Sequence, residues 1–257
     1  MPSELEEHYG ADYDRAIAAG GADPRHWKDR RGTLMRYKDR GKILDLGCGS
    51  GGFLASLPRS SWELFGVEMS ERTARLAEAN TGAQVFVGDV LDAPFPAESF
   101  DAITCFHVIE HLHQPWDVFA RVCEWLKPDG IFYLMTPNIE SAGAEIFGSY
   151  WYALELPRHL YHFSPTALRN LARAAGLAEC SLTTHRELFV EPSLRYIVDG
   201  FFRKCGLQRA SLAQAKPPGL CWRAARKGFR TAILPLMTGV ASLAGDGESI
   251  HAVFVKN

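Results

Sequence analysis

An acid and a run of glycines carry the first chemical signal. In ILDLGCGSGGFL (43–54), Asp45 is followed by Gly47, Gly49 and Gly51. An apolar stretch thus ends in a carboxylate and passes into backbone stripped of side chains. Glycines so spaced let a ligand lie against main-chain N–H groups at the start of a helix. As a string, Gly47-Cys48-Gly49-Ser50-Gly51-Gly52 also satisfies the GxGxxG pattern of a dinucleotide-binding turn. Glu68, 21 residues beyond Gly47, falls where a carboxylate accepts both hydroxyls of a ribose. To that point an NAD site and any other adenosine site look alike. Asp45 separates them. It would face a pyrophosphate's negative charge, and is favourable only where the ligand's adjoining group is a cation such as an amino-acid ammonium. In Gly88-Asp89-Val90, Asp89 can accept from an exocyclic adenine amine, and the Val90 backbone N–H is left for a ring nitrogen.

Histidines supply the candidate bases. His107, His111 and His113 cluster in CFHVIEHLH (105–113), and His159 and His162 lie in LPRHLYHFSP (156–165). Imidazole exchanges its proton near neutral pH and is the commonest general base. His107 falls at the carboxyl end of a strand, where ligands of open α/β sheets bind. His107, His159 and His162 are therefore the catalytic candidates, while Glu110-His111 is expected to stabilise the loop and the helix start that follows.

These groups need strands that end together. KILDLG, ELFGVEM, AQVFVGD, SFDAITCFHV and GIFYLMTP read as strands. Between them, SERTARLAEAN opens on a Ser70 cap, and PWDVFARVCEWLK opens on Pro115 and ends at PDG. SPTALRNLARAAGL is a further capped helix ending at Gly176, and strands follow at 178–184 and 249–257. Strands alternating with helices predict a parallel sheet covered on both faces.

The set D-L-G-C-G-S-G (45–51), G-V-E-M (66–69), G-D-V (88–90) and F-D-A-I-T-C-F-H-V-I-E-H-L (100–112) resembles the class I S-adenosylmethionine (SAM)-dependent methyltransferases. WYALELPRHLYHFSP (151–165) resembles the substrate-side segment of the bacterial branch near the ubiquinone-biosynthesis O-methyltransferase type. The resemblance implies an α/β, Rossmann-like, seven-stranded, mostly parallel sheet with an antiparallel last strand and helices on both faces. Together with the pattern along the chain, it gives one methyltransferase domain over 1–257: a helical cap (1–40), a SAM-binding core (41–187), a basic and apolar helical insertion (188–245) and the last strand (246–257). It also assigns roles. Asp45, Gly47, Cys48, Gly49 and Gly51 would line the methionine moiety, and Glu68 would hold the ribose hydroxyls. Met69 would pack on adenine, whose edge Asp89 and Val90 would read. Phe106 and His107 would sit beside the sulfonium and the entering substrate. Some relatives use Glu-x-x-Glu-His for a divalent ion; here His107 stands in place of the first Glu, and no metal is expected.

The expected reaction is in-line methyl transfer to an oxygen of a small-molecule, glycan or lipid-linked acceptor. No Asn/Asp-Pro-Pro-Tyr signature for methylating a planar base nitrogen follows the fourth strand. A non-catalytic SAM- or adenosine-binding module is the alternative, and an NAD(P)-dependent oxidoreductase a third. Net charge is −2 over 257 residues, which disfavours nucleic acid as a partner. Residues 200–245 hold eight Lys or Arg and no Asp or Glu, so one basic segment sits on an acidic body. It reads as a helical cover with a solvated basic face. The sharper alternative is a peripheral membrane contact that admits a lipid-linked acceptor. The oligomeric state is left open. Six scattered cysteines without a CxxC pair, and an acidic, polar start with no signal-peptide character, point to a cytoplasmic protein, with membrane association through 188–245 as the variant.

Overall fold

The computed structural model describes residues 24–185 and 247–257, with isolated positions 189, 192, 193 and 196 between them. Nearly all of the segment expected as a basic insertion at 188–245 lies outside the described residues. Helix α1 (Pro24–Tyr37) leads into strand β1 (Gly41–Leu46) and the short helix α2 (Gly52–Ala55). Then follow β2 (Trp62–Glu68), α3 (Glu71–Thr81), β3 (Gln84–Val87), β4 (Phe100–Phe106), α4 (Pro115–Trp125) and β5 (Leu126–Pro137). The chain continues through α5 (Ala142–Phe147), α6 (Pro165–Ala174), β6 (Leu177–His185) and β7 (Ser249–Lys256).

The strands form one seven-stranded sheet in the order β3-β2-β1-β4-β5-β7-β6. β1 pairs in parallel with β2 and with β4, β2 with β3, and β4 with β5, while the last strand runs antiparallel. The strand order reverses between β1 and β4, the switch point beside which open α/β sheets bind ligands. The Rossmann-like sheet read from the sequence is therefore present. The described residues fall into two compact units. The first holds those up to Thr136 with Thr166–Leu182 and His251–Asn257, and the second holds those of Pro137–Pro165 and Thr183–Ile250.

Local chemistry accounts for the elements. The central strands are apolar runs buried on both faces: Ile43, Leu44 and Leu46 in β1, Ala102, Ile103 and Cys105 in β4, and Ile131–Met135 in β5. α3 is capped by Ser70, whose side chain accepts the Thr73 N–H, and it stops at Gly82 in the left-handed region. α4 starts at Pro115, whose missing N–H costs nothing there, and turns Val118, Phe119, Val122 and Trp125 to the core. Its end differs from the sequence expectation. The helix stops at Trp125, and Leu126 already pairs with Phe100 in the sheet. The next pair is Ala102 with Ile131, so Lys-Pro-Asp-Gly forms an irregularity inside the strand. Pro128 disfavours the helical conformation at Lys127, and Asp129 takes a left-handed φ of 61°.

Close packing of β1 against β2 depends on a side chain that is absent. Gly66 pairs in register with Asp45, and a Cβ there would lie 2.6 Å from Cys48 Sγ. Gly66→Ala should cost ~1–3 kcal/mol, the usual range for overpacking. In a Cys48→Ala background the same change should cost less than half as much. Urea denaturation of the four proteins in this cycle measures the coupling; equal costs in both backgrounds would refute the steric account.

Candidate functional site

The end of β1 opens into a tight loop. Gly47, Gly49 and Gly51 take φ of 66°, 53° and 82°, a region that ordinary residues occupy at a cost. A Cβ at Gly47 would also collide with the Val108 side chain. The loop is tied to β2 and to itself: Cys48 N–H donates to Val67 O at 3.0 Å and Gly51 N–H to Cys48 O at 3.0 Å. The Cys48 thiol points inward against Gly66 and donates weakly to Gly49 O. Burial, with the Asp45 and Glu68 charges nearby, pushes that thiol well up. Cys48 therefore offers the loop's outer surface only its backbone. Glu68, buried at the end of β2, accepts the Gly49 N–H at 2.9 Å and the Ser70 N–H at 3.0 Å. One carboxylate thus joins the glycine loop to the start of α3.

Asp45 is 4% exposed, and its Oδ1 accepts the Thr104 hydroxyl of neighbouring β4 at 2.6 Å. Burial pushes its carboxyl up to about 7. Thr104 and the Arg30 guanidinium pull the other way, and Glu68 adds to the rise. Arg30 was not singled out from the sequence. It is buried on α1, with its guanidinium 4.9 Å from the centroid of Trp27 and 5.2 Å from that of Phe106. An i,i+3 stack on Trp27 was the available signal. Phe106 in turn packs edge-on against Phe53 and Tyr133, each with centroids 4.9 Å apart. The site expected at the strand ends therefore includes a cation seated on an aromatic cluster.

The next strand ends present the remaining groups. Met69, directly after Glu68, is 52% exposed despite its apolar side chain. Gly88 N–H donates to Glu68 O at 3.1 Å, which ties the end of β3 to that of β2. Asp89 caps the short turn Val90–Asp92 by accepting the Leu91 N–H at 2.8 Å, and Val90 is buried. On the other side of β1, β4 ends at Phe106, and His107 adopts a left-handed φ of 56°. Strain of this kind collects at functional positions. The His107 N–H donates to Met135 O at 2.9 Å, and its Nδ1 lies 3.5 Å from Glu110 Oε1, with the side chain 30% exposed. Glu110 is 1% exposed, and its Oε2 accepts the Thr136 hydroxyl at 3.1 Å. Burial alone would raise its carboxyl. His107 first and then His111, when protonated, outweigh that and hold it below its ordinary value.

His159 and His162 belong to the second unit. His159 is buried, with Nδ1 2.7 Å from Ala153 O and Nε2 3.1 Å from Glu155 Oε2. A carbonyl oxygen only accepts, so Nδ1 carries a proton. Glu155 also pairs with Arg158. His162 Nε2 lies 3.1 Å from Leu154 O and donates to it, which makes Nδ1 the acceptor nitrogen of a neutral ring. Both rings thus brace the turn around 153–155, and His159 turns each nitrogen to an acceptor.

A methyltransferase-domain family profile matches residues 20–181. The ubiquinone biosynthesis O-methyltransferase of Xanthomonas axonopodis pv. citri is 32% identical over 148 residues, covering 53% of this chain. The chain spans 62% of that relative's length. A SAM-dependent methyltransferase from Thermotoga maritima superposes with a TM-score of 0.61 at 19% identity, over 100% of both chains. Phosphoethanolamine N-methyltransferase 2 of Haemonchus contortus, solved with SAM bound, gives a TM-score of 0.56 at 17% identity, covering 89% of this chain and 52% of its own. With the strand order, the glycine loop and a profile that runs from α1 into β6, the chain belongs to the methyltransferase-domain family.

Proposed function

We propose that the chain binds SAM across the carboxyl ends of β1, β2 and β3 and transfers its methyl group to an oxygen of a small-molecule acceptor. The observation that carries the reading is Asp45. A carboxyl buried beside a glycine loop and pushed up to about 7 is an acid in want of a cation, and the amino-acid end of SAM brings an ammonium. Arg30, beside it, suits the carboxylate of the same amino acid. Glu68 would accept the ribose hydroxyls. Exposed Met69 would cover one face of the adenine, and Asp89 with the Val90 N–H would meet its edge. The positive φ values at Gly47, Gly49 and Gly51 give the close backbone approach that the methionine end requires.

SAM when bound supplies a methyl group on a positively charged sulfur, so the acceptor oxygen displaces a neutral thioether in line. The chain's part is to align the two and exclude water. The acceptor oxygen must shed a proton during or before attack. We assign that proton to His107, at the carboxyl end of β4. His159 and His162 brace the turn around 153–155 within their own unit. Choice of an oxygen acceptor follows the names of the relatives. A glycan or lipid-linked acceptor, and a membrane contact through 188–245, remain extensions of the same reading. No described helix is long and apolar enough to cross a membrane.

Calorimetric titration tests the site. SAM and its demethylated product should bind, and NADH should not. Asp45→Ala and Glu68→Ala should each weaken SAM binding by about 10–100-fold, the loss of one charge-assisted contact. Binding of NADH, or full SAM affinity in both variants, would overturn the assignment. Because Asp45 must ionise to hold a cation, SAM affinity should also fall by up to about tenfold per pH unit below pH ~7.

The same carboxyl sets a stability test. Its folded value lies above the ordinary 3.8, so the proton stabilises the fold on the acid side and that contribution is lost as pH rises through about 7. Asp45→Asn has no such proton to lose. Without ligand, the wild type should therefore lose roughly 2–3 kcal/mol relative to Asp45→Asn between pH 5 and pH 8. Denaturant titrations at the two pH values measure the difference, and parallel behaviour of the two proteins would count against a raised Asp45.

A further inference from the structure

We propose that Glu110 is the positioning residue for His107, a buried carboxylate that holds the imidazole proton on Nδ1 and so leaves Nε2 to face the acceptor. The inference rests on the reading of His107 as the base and concerns how that base is prepared. Glu110 Oε1 is buried and has no hydrogen-bond partner among the described residues. His107 Nδ1, at 3.5 Å, is its ion-pair contact. That separation is at the outer limit of a hydrogen bond, and a small turn of the half-exposed ring closes it. The other carboxylate oxygen is fixed by the Thr136 hydroxyl from β5, so the carboxylate cannot swing away without abandoning that bond. The Thr136 hydroxyl and the His107 Nδ1–H are the donors that face the buried carboxylate. The left-handed backbone at His107 and its N–H bond to Met135 O fix the root of the ring as well.

The chemical consequence is a tautomer. A neutral imidazole has one donor nitrogen and one acceptor nitrogen, and the hydrogen bond made by the first decides which the second will be. With Nδ1–H directed at Glu110, Nε2 carries the lone pair. During methyl transfer the proton leaves the acceptor hydroxyl for Nε2, the oxygen's electron pair forms the new O–C bond, and the C–S pair returns to sulfur. The imidazolium so formed donates from Nδ1 to a carboxylate rather than to a neutral group. A buried carboxylate beside a histidine does the same service in hydrolase triads.

Ring ¹⁵N spectra of histidine-labelled protein at pH 8 test the inference, with His107 assigned from the signals missing in His107→Gln. The wild type should show His107 predominantly as the Nδ1–H tautomer. Glu110→Gln keeps the side-chain volume. Its carbonyl takes the Thr136 hydroxyl, its NH₂ turns to Nδ1, and the His107 ring should shift to predominantly Nε2–H. Thr136→Val, which loses the brace and keeps the carboxylate, should retain Nδ1–H with a broadened signal. An Nε2–H ring in the wild type, or an unchanged tautomer in Glu110→Gln, would overturn the proposal. A merely structural Glu110 would not move the tautomer. Should Glu110→Gln not fold, the wild-type spectrum and Thr136→Val decide. Calorimetry with SAM on the same samples separates the two readings: absence of SAM binding to the wild type defeats the proposed function, whereas SAM binding with the wrong tautomer defeats only the role of Glu110.

Discussion

A single carboxylate ties the ends of β1 and β2 to the start of α3. Glu68 sits at the end of β2 and receives one N–H from Gly49 and another from Ser70, which come from the loop after β1 and the cap of α3. Charge-assisted bonds of this kind are among the stronger ones a protein makes. The glycines could adopt many conformations alone; tied to Glu68, Val67 O and Cys48 O, they keep one. The loop's shape is thus set by β2 as much as by its own sequence. Gly88 N–H bonded to Glu68 O extends the same tie to the end of β3. Loop geometry and the proposed ribose contact consequently share one residue.

Asp45 and Arg30 stand in a different relation. Two opposite charges buried near one another would ordinarily settle into a direct pair. Here Thr104 holds Asp45 while Trp27 and Phe106 seat Arg30, and Asp45 is left well above the ordinary carboxyl range. The described contacts thus hold the two groups from different sides, Asp45 from β4 and Arg30 from α1 and Phe106. On the proposed reading, a zwitterionic ligand end, with an ammonium and a carboxylate two bonds apart, suits this pair of groups better than a pyrophosphate does. This is the physical distinction between the two meanings of a glycine-rich turn, and it lies in the acid before the glycines rather than in the glycines.

The sheet was legible because each central strand is an apolar run ending in a polar or glycine residue, so strand ends and site residues coincide. Asp45, Glu68, Asp89 and His107 were singled out by that coincidence, and the structure puts them at or just after the ends of β1, β2, β3 and β4. Contacts that join distant segments were not legible. Arg30 differs from Arg31, which reaches Ser56 O, and from the exposed Arg36 only in standing three residues after Trp27; the fold alone places it on Phe106. Glu110 was read as a stabiliser of its own turn, and its bond to Thr136, 26 residues on, is a property of β4 lying beside β5. The end of α4 was misplaced by two residues because Leu126, apolar and helix-compatible, serves instead as a strand residue opposite Phe100. The basic stretch at 188–245 falls almost wholly outside the described residues, and its expected roles stand as expectations.

The fit of Cys48 against Gly66 has a consequence for redox chemistry. Thiols react as thiolates, and burial together with two neighbouring carboxylates keeps this one protonated. A cysteine lodged in the middle of a glycine-rich loop would otherwise be an obvious point of oxidative damage, since a sulfenic acid there would push against the turn. With the sulfur turned inward over a residue that has no side chain, the loop gains a small apolar filler that oxidants and electrophiles reach poorly. The glycine in β2 therefore shelters the chemistry of its neighbour as well as making room for it.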